Sequence, residues 1–318
     1  MSINNGEILF IKSVKDGIPN RDPLNDSDAR RLFPEEDGRI SLSDVSIKRD
    51  VRDFVLDFQP DGGEKKNNFI FVQEKLNEKG KLLGRGSLAE WIAKAAGKEK
   101  EAKNDMKSVL IEHSFDVRTF GVVYSVNPKF HLTGPVQFGW AHSLHPVDSQ
   151  YVQGTVVMPS KDSSGDEEGK TQGTIWTSYI VPFAVFAMPG VINAKNAEHT
   201  KMTEEDQELL LRGLWQGTQH RQARGRGQQQ PLVLIHVEYN DPFYRIGYLE
   251  ELVSIKPEPE VWKQEGKRPS SIKDIAIDLN HLLDTLEQYK GKIERCRIWC
   301  HPSVLVEGNV APYQQPLW

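Results

Sequence analysis

Apolar residues near the start of the chain fall on both sides of an extended strand. Across residues 7–14, Ile8 and Phe10 point one way, with Lys12 beside them, and Leu9 and Ile11 point the other. A strand apolar on both faces belongs inside a sheet that is covered above and below. Residues 16–37 are rich in Pro, Asn, Asp and Arg and read as a long loop, a length uncommon between core elements unless it has a function. Ser43 or Asp44 then caps a predicted helix reaching about residue 58. Ile47, Val51, Phe54, Val55 and Phe58 recur at three- and four-residue spacing and form its buried stripe. Lys48, Arg49 and Arg52 fall on the opposite, exposed face.

Residues 59–112 are polar, Lys- and Glu-rich, and helical around 88–96; they read as an inserted subdomain. Residues 115–125 and 135–141 have the pattern of strands. Residues 158–173 mix Pro159, Ser163, Ser164, Gly165 and Gly169 with charges, the composition of an exposed loop or hairpin tip. Residues 174–187 return to an extended apolar pattern. Thr203 caps a helix with Asp206 at the capping-box position, and Leu209, Leu210 and Leu214 follow. Residues 232–239 form a strong strand, 244–253 a second. Ser271 caps a helix with Ile272, Ile275, Leu279, Leu282, Leu283 and Leu286 on one stripe. Gly291 ends it, and 293–300 is another strand. Residues 301–318 form a tail, without regular pattern from 309 on. These elements predict an α+β fold with helices packed on an antiparallel sheet, compatible with a ferredoxin-like arrangement carrying insertions.

Composition narrows the function. The chain has 318 residues, 38% hydrophobic and 27% charged, the balance of a globular protein. No apolar run approaches the ~18 residues of a membrane span. No basic region precedes an apolar run near Met1, and there are only two cysteines. Cytoplasmic location without a membrane partner is the expectation. The net charge of -5 argues against coating duplex DNA by bulk attraction. Positive charge gathers locally instead. Residues 39–52 hold Arg39, Lys48, Arg49 and Arg52. Residues 212–237 hold Arg212, Arg221, Arg224 and Arg226 without one acid. Arginine offers a planar fork to phosphate, and the interleaved glycines let backbone approach it closely. The plainer alternatives are a solvated helix face and a surface loop. Acids gather at 162–168 and 204–208.

Enzymatic signatures are sparse. Nine histidines include no HExxH pair and no accompanying cysteine cluster, so no metal or cofactor is expected. Cys296 and Cys300 fit two buried thiols on one strand face. There is no GxSxG and no P-loop. A metal-independent ribonuclease needs only a histidine and a cation, and His142 with Arg118 is the pair that fits that reading best. Phe138, Trp140 and other aromatic residues in extended segments would stack on bases if exposed, or fill the core if not. Met158, at the mouth of the 158–173 hairpin, is either a wedge between bases or a sheet-edge methionine.

Several segments, in order, resemble one family. The run from Gly38 through Arg39, Ser43, Lys48, Arg49 and Arg52 to Asp53 is similar to the first-helix motif of the RAMP-superfamily backbone subunits of type I CRISPR Cascade complexes, with subtype I-B nearest. Asp116-Val117-Arg118-Thr119-Phe120-Gly121 and Gly134-Pro135-Val136-Gln137-Phe138-Gly139-Trp140-Ala141 resemble the motifs that follow. Thr203 to Asp206, Leu209 to Trp215 and Arg224 to Tyr239 resemble its downstream helix, loop and strand. The matches span about residues 7–250. The resemblance implies a modified RNA-recognition-motif palm, with a helical fingers insertion at 59–112 and a thumb hairpin at 158–173. The palm would occupy 1–58, 113–157 and 174–300. It implies a non-catalytic subunit that stacks head to tail along the guide RNA, beside other Cascade subunits, and leaves bases free to pair with target DNA. RNA contacts would come from Arg21, Arg39, Lys48, Arg49, Arg52, Arg118, Gln137, His142, Arg221, Arg224 and Arg226, and base wedging or stacking from Met158, Phe138 and Trp140. The remaining alternatives are a ribonuclease processing the guide precursor, or an interaction protein without nucleic acid.

Overall fold

The computed structural model describes residues 3–25, 28–33, 37–156, 175–265 and 268–318. The first elements are β1 (Asn5–Lys15), β2 (Ser41–Leu42) and α1 (Asp44–Phe58). An inserted group follows: α2 (Arg85–Ala95), α3 (Glu99–Asn104), α4 (Met106–His113), α5 (Phe115–Phe120), β3 (Gly121–Tyr124) and β4 (Phe130–Thr133). Next come β5 (Val136–Phe138), β6 (Ala141–Ser143), β7 (Gln150–Thr155), β8 (Ile175–Ile180), β9 (Phe183–Ile192), α6 (Ala194–Thr200), α7 (Glu204–His220) and β10 (Gln228–Tyr239). The chain closes with β11 (Ser254–Lys256), α8 (Pro259–Glu265), β12 (Ala276–Asp278), α9 (Asn280–Gln288), β13 (Ile293–Cys300) and β14 (Leu305–Glu307). No helix among the described residues is long and apolar enough to cross a membrane.

The fold is α+β, built on an antiparallel sheet in the order β13–β10–β1–β9–β6–β2, with β5 also on β9. β1 is interior to it, as its two apolar faces require. Ile8, Phe10 and Val14 enter one cluster with Ile47 and Val51 of α1 and Leu210 and Leu214 of α7. Leu9 and Ile11 enter a second, with Ile277 of β12 and Leu282 and Leu286 of α9. One face of the sheet is therefore covered by α1 and α7, the other by α9 and the small β11–β12–β14 sheet. Cys296 and Cys300 are unpaired and pack on the second cluster. Burial pushes their thiols up to about 12 and about 11. A third cluster, including Phe69, Phe71, Ile92, Leu110 and Tyr124, belongs to the inserted region and its β3–β4 ladder.

The capping box at Thr203 and Asp206 is present, and α7 starts where it predicts. Ser43 occupies the N-cap of α1 in extended conformation. Phe58 departs from the expected stripe: 44% of it is exposed, and it is stacked on Phe54 at 5.2 Å with the Arg212 guanidinium 4.2 Å from its ring.

Three predicted elements are corrected. Residues 115–120 form a short helix, not the start of a strand. All six of its residues are buried, so the apolar pattern carries no face signal, and Asp116 accepts the N–H groups of Phe71 and Val72. Residues 244–253 are not a strand. Glu7 of β1 takes the Gly247 N–H, Tyr248 adopts a left-handed backbone, and Leu249–Leu252 coils into a 3-10 turn, so these bonds replace a ladder. The helix expected from Ser271 divides. Ser271 caps a single 3-10 turn, Ile272–Asp274; β12 follows, and α9 begins only at Asn280.

Candidate nucleic-acid interface

Two of the basic segments meet at α1. Asp50 lies one turn before Phe54 on the face of α1 that meets the sheet, and its carboxylate is wholly buried. Three cations from two other segments converge on it. Arg221 Nη1 stands 2.8 Å from Asp50 Oδ1, and Arg226 Nη2 stands 3.0 Å from the same oxygen. Lys12 Nζ of β1 reaches Oδ2 at 3.4 Å and donates to Gln229 Oε1 at 2.9 Å. One turn further along α1, Asp53 accepts Arg221 Nε at 3.1 Å and Arg49 Nη2 at 2.8 Å. Four basic side chains thus share two carboxylates, a formal excess of two positive charges.

Burial dominates the electrostatics here. It pulls the Lys12 ammonium below its ordinary value; Asp50 opposes the shift, while Arg226 and Arg221 add to it. Burial likewise lowers the Arg226 guanidinium, and Asp50 again opposes it. The strand helps place Lys12. The β1–β10 register shifts between Ile11 and Lys12, where Lys12 faces Pro231. Proline cannot donate to a ladder, and bulges re-aim side chains.

The loop after β1 closes on the same segment. Arg226 Nη1 donates to the Pro19 carbonyl at 3.2 Å, and Ile18 N–H donates to the Gly225 carbonyl at 3.0 Å. Arg21 Nη2 bonds Ser178 Oγ of β8 at 2.8 Å and the Gly225 carbonyl at 3.3 Å. Gly227 has φ +69, and a Cβ added to Gly17 would stand 2.0 Å from its nitrogen. No side chain fits between these two backbones.

Arg39 and His142 form a separate group where β2 pairs with β6. Arg39 lies 3.9 Å over the Phe33 ring and bonds Asp37 at 2.6 Å. The His142 ring is 4.5 Å from Phe33, and its Nδ1 is 2.9 Å from Ser41 Oγ. Burial lowers the His142 pKa, with Arg39 adding and Asp37 opposing.

Several predicted contacts are placed elsewhere. Lys48 pairs with Asp44 at 2.8 Å, inside its own helix. Arg52 is not on an exposed face: it is largely buried, bonded to Asp116 at 2.9 Å and 5.1 Å from the Phe120 ring. Arg118 is buried and spent on Asp206 and on main-chain carbonyls, so it offers no fork to a phosphate and no cation to His142. Phe138 is buried 6.4 Å from Phe120, which makes it a core residue rather than a stacking platform. Gln137 is half-buried and donates to the Gly134 carbonyl. Trp140 is half-buried, with Arg30 6.0 Å from its ring centre. Arg224 lies in the 3-10 turn Arg224–Arg226; its side chain, Met158 and the 158–173 hairpin fall outside the described residues.

Sequence reasoning missed Lys12 and the two carboxylates. A lone lysine between apolar strand positions was the available signal. The absence of acids from residues 212–237 was misleading, because Asp50 and Asp53 arrive from α1.

Solved structures share this fold. One, titled "CRISPR RNA-guided surveillance complex, pre-nicking", contains a chain that superposes with TM-score 0.58 and 13% identity, covering 99% of this chain and 96% of that one. Another, titled "CRISPR RNA-guided surveillance complex", gives TM-score 0.55 and 14% identity, covering 99% and 95%. A protein of Haloferax volcanii named CRISPR-associated protein Cas7 is 24% identical over 317 residues, 93% of this chain and 87% of its own length. The family model described as CRISPR-associated protein Cas7 matches residues 4–280, and the chain belongs to that family.

Proposed function

We propose that this chain is a non-catalytic, guide-RNA-binding backbone subunit of a type I surveillance complex, of subtype I-B, acting in the cytoplasm. Copies polymerise head to tail along the guide, beside other Cascade subunits, and present its bases to target DNA. Family membership supports the setting. The observation that carries the RNA contact is the seam where Arg49, Arg221, Arg226 and Lys12 converge on only two carboxylates. A partly buried excess of positive charge is completed by an anion, and a sugar-phosphate backbone supplies one at every nucleotide. Such binding is independent of base sequence, as a subunit serving any guide requires.

The strand order β10–β1–β9–β6, with α1 after β1 and α7 after β9, supports a modified RNA-recognition-motif palm. The sheet face away from α1 is filled by the α9 cluster, so in this reading RNA follows the seam beside α1 rather than crossing the sheet. Arg21, Arg39, Lys48, Gln137, His142 and Arg224 remain proposed contacts around it, with Trp140 and Met158 as proposed base contacts. Residues 59–112 are assigned as fingers. The antiparallel β7–β8 pair, on either side of residues 157–174, supports a thumb there.

The test is single-stranded RNA binding by the purified chain across a salt series. Affinity should fall with salt by about 0.7 in log units per phosphate contact and tenfold of salt. An Arg49→Ala/Arg221→Ala variant should bind more weakly with a shallower slope; wild-type affinity in that variant would end the reading. The RNA should stay intact. Site-specific cleavage of repeat RNA, lost on His142→Ala, would replace the non-catalytic assignment with a ribonuclease.

A further inference from the structure

We infer that the α1 carboxylates Asp50 and Asp53 are positioning residues for RNA: they hold the arginines in the attitude that meets phosphate, so that removing an acid from this seam weakens RNA binding. The inference rests on the RNA-binding reading above and assigns a role to two residues of the wrong charge for that ligand.

The geometry sets this apart from a surface salt bridge. Arg221 is held at two atoms by two different carboxylates, Nη1 on Asp50 and Nε on Asp53. Those acids are three apart on α1, close to one helical turn, so they present themselves side by side. A guanidinium fixed at two of its donors keeps its plane, and neither of these bonds uses Nη2. Arg226 is held at two atoms as well, by Asp50 and by the Pro19 carbonyl. Arg49 is fixed one turn back along α1 by Asp53. The backbone next to Arg221 offers little restraint of its own, although Gly225 and Gly227 further on are held by the loop after β1. It runs from the end of α7 through Gln222 and Ala223, both exposed, to a 3-10 turn with Gly225 inside it and Gly227 next to it. Without the acids, two long side chains on that segment would regain rotamer freedom, which binding must then remove again.

Two opposed effects follow from removing either acid. Loss of negative charge beside phosphates strengthens attraction, whereas loss of the anchor costs order. The sign of the change in affinity therefore decides between a positioning role and a bystander charge.

Asp53→Asn is the deciding variant, because its side chain is a quarter exposed and lies outside the core. RNA affinity at fixed salt should drop by about three- to tenfold, with the salt slope shallower by about one phosphate contact and an unchanged melting temperature. Asp53→Glu should restore most of the affinity. Asp50→Asn combined with Lys12→Met, which leaves no lone ammonium in the interior, should show the larger loss of the two. Wild-type or tighter binding by Asp53→Asn, at an unchanged or steeper slope, would overturn the inference while leaving RNA binding intact. Failure of the wild-type chain to bind RNA with salt dependence would instead remove the reading on which it stands.

Discussion

Arg118 and Asp206 meet through two parallel bonds, Nε to Oδ2 at 2.9 Å and Nη2 to Oδ1 at 2.7 Å, and both side chains are buried. The pair joins α5 to the first turn of α7. Arg118 Nη1 also donates to the carbonyls of Asn67, Ile111 and Glu112, at the end of α4, and Nη2 to Asn68 Oδ1. Asp206 meanwhile accepts the Thr203 N–H in the capping box. One carboxylate thus caps α7 and fastens the inserted region to it.

Arg118→Ala should therefore destabilise the protein by about 3–5 kcal/mol, because it strands a buried carboxylate and the helix-end carbonyls together. Arg118→Lys should recover only a part, since an ammonium cannot reproduce the fork. Urea unfolding measures the loss. RNA affinity per folded molecule should stay at the wild-type level. A variant of normal stability that has lost RNA binding would return Arg118 to the interface.

The contact between α1 and α7 sets a second expectation. A Cβ on Gly217 would stand 2.4 Å from the Asp50 carbonyl oxygen, and one on Gly213 3.1 Å from Val51 Cγ1. The first obstacle is backbone, the second a side-chain methyl group that must give by only a few tenths of an ångström. Gly217→Ala should cost about 1–3 kcal/mol despite the better helix propensity of alanine, and Gly213→Ala clearly less. Thermal melts of the two variants check the order. Gly217→Ala should also weaken RNA binding, because α1 cannot move without carrying Asp50 away from Arg221 and Arg226. A Gly217→Ala protein that melts at or above the wild-type temperature would show that the helices are not held this closely.

What could be read in the sequence follows from how local the determinants are. β1 and α7 were legible because two-sided apolar alternation and a capping box are properties of neighbouring residues. Residues 115–120 were not, since a helix buried all round has no polar face to mark its period. The stripe from Ile272 to Leu286 misled for a related reason. Ile275 and Ile277 alternate along extended backbone at and just before β12, Leu282 and Leu286 repeat on a helix, and all four face the same cluster. The candidate site was half legible. Arg221 and Arg226 were found by charge, but their partners are 171 and 176 residues away on α1. Arg52 and Arg118 were misjudged because each has a buried acid from a distant segment, Asp116 and Asp206.

His145 supplies a pH dependence whose sign can be worked out. Its ring is buried against Phe183 and Trp262, beside a cavity of about 600 Å³. Nδ1 lies 2.9 Å from the Pro146 carbonyl, and Nε2 accepts the Val185 N–H at 3.3 Å, so the neutral ring with its proton on Nδ1 satisfies both. Burial pushes its pKa down from 6.5 to about 4, against the Pro146 bond, with Arg268 adding to the fall. The unfolded chain therefore binds the proton more readily than the folded one. The contribution of the neutral ring is fully present above pH 6.5 and is lost progressively as pH falls toward about 4, amounting to about 2 kcal/mol by pH 5. His236, wholly buried beside Arg297, acts in the same direction. Urea unfolding of wild type and His145→Asn at several values between pH 7.5 and pH 5 isolates the contribution of this ring. The variant should be less stable at pH 7.5, and the gap should narrow on acidification, because only wild type has this proton to gain. Parallel curves would mean that His145 is no harder to protonate in the folded chain than in the unfolded one.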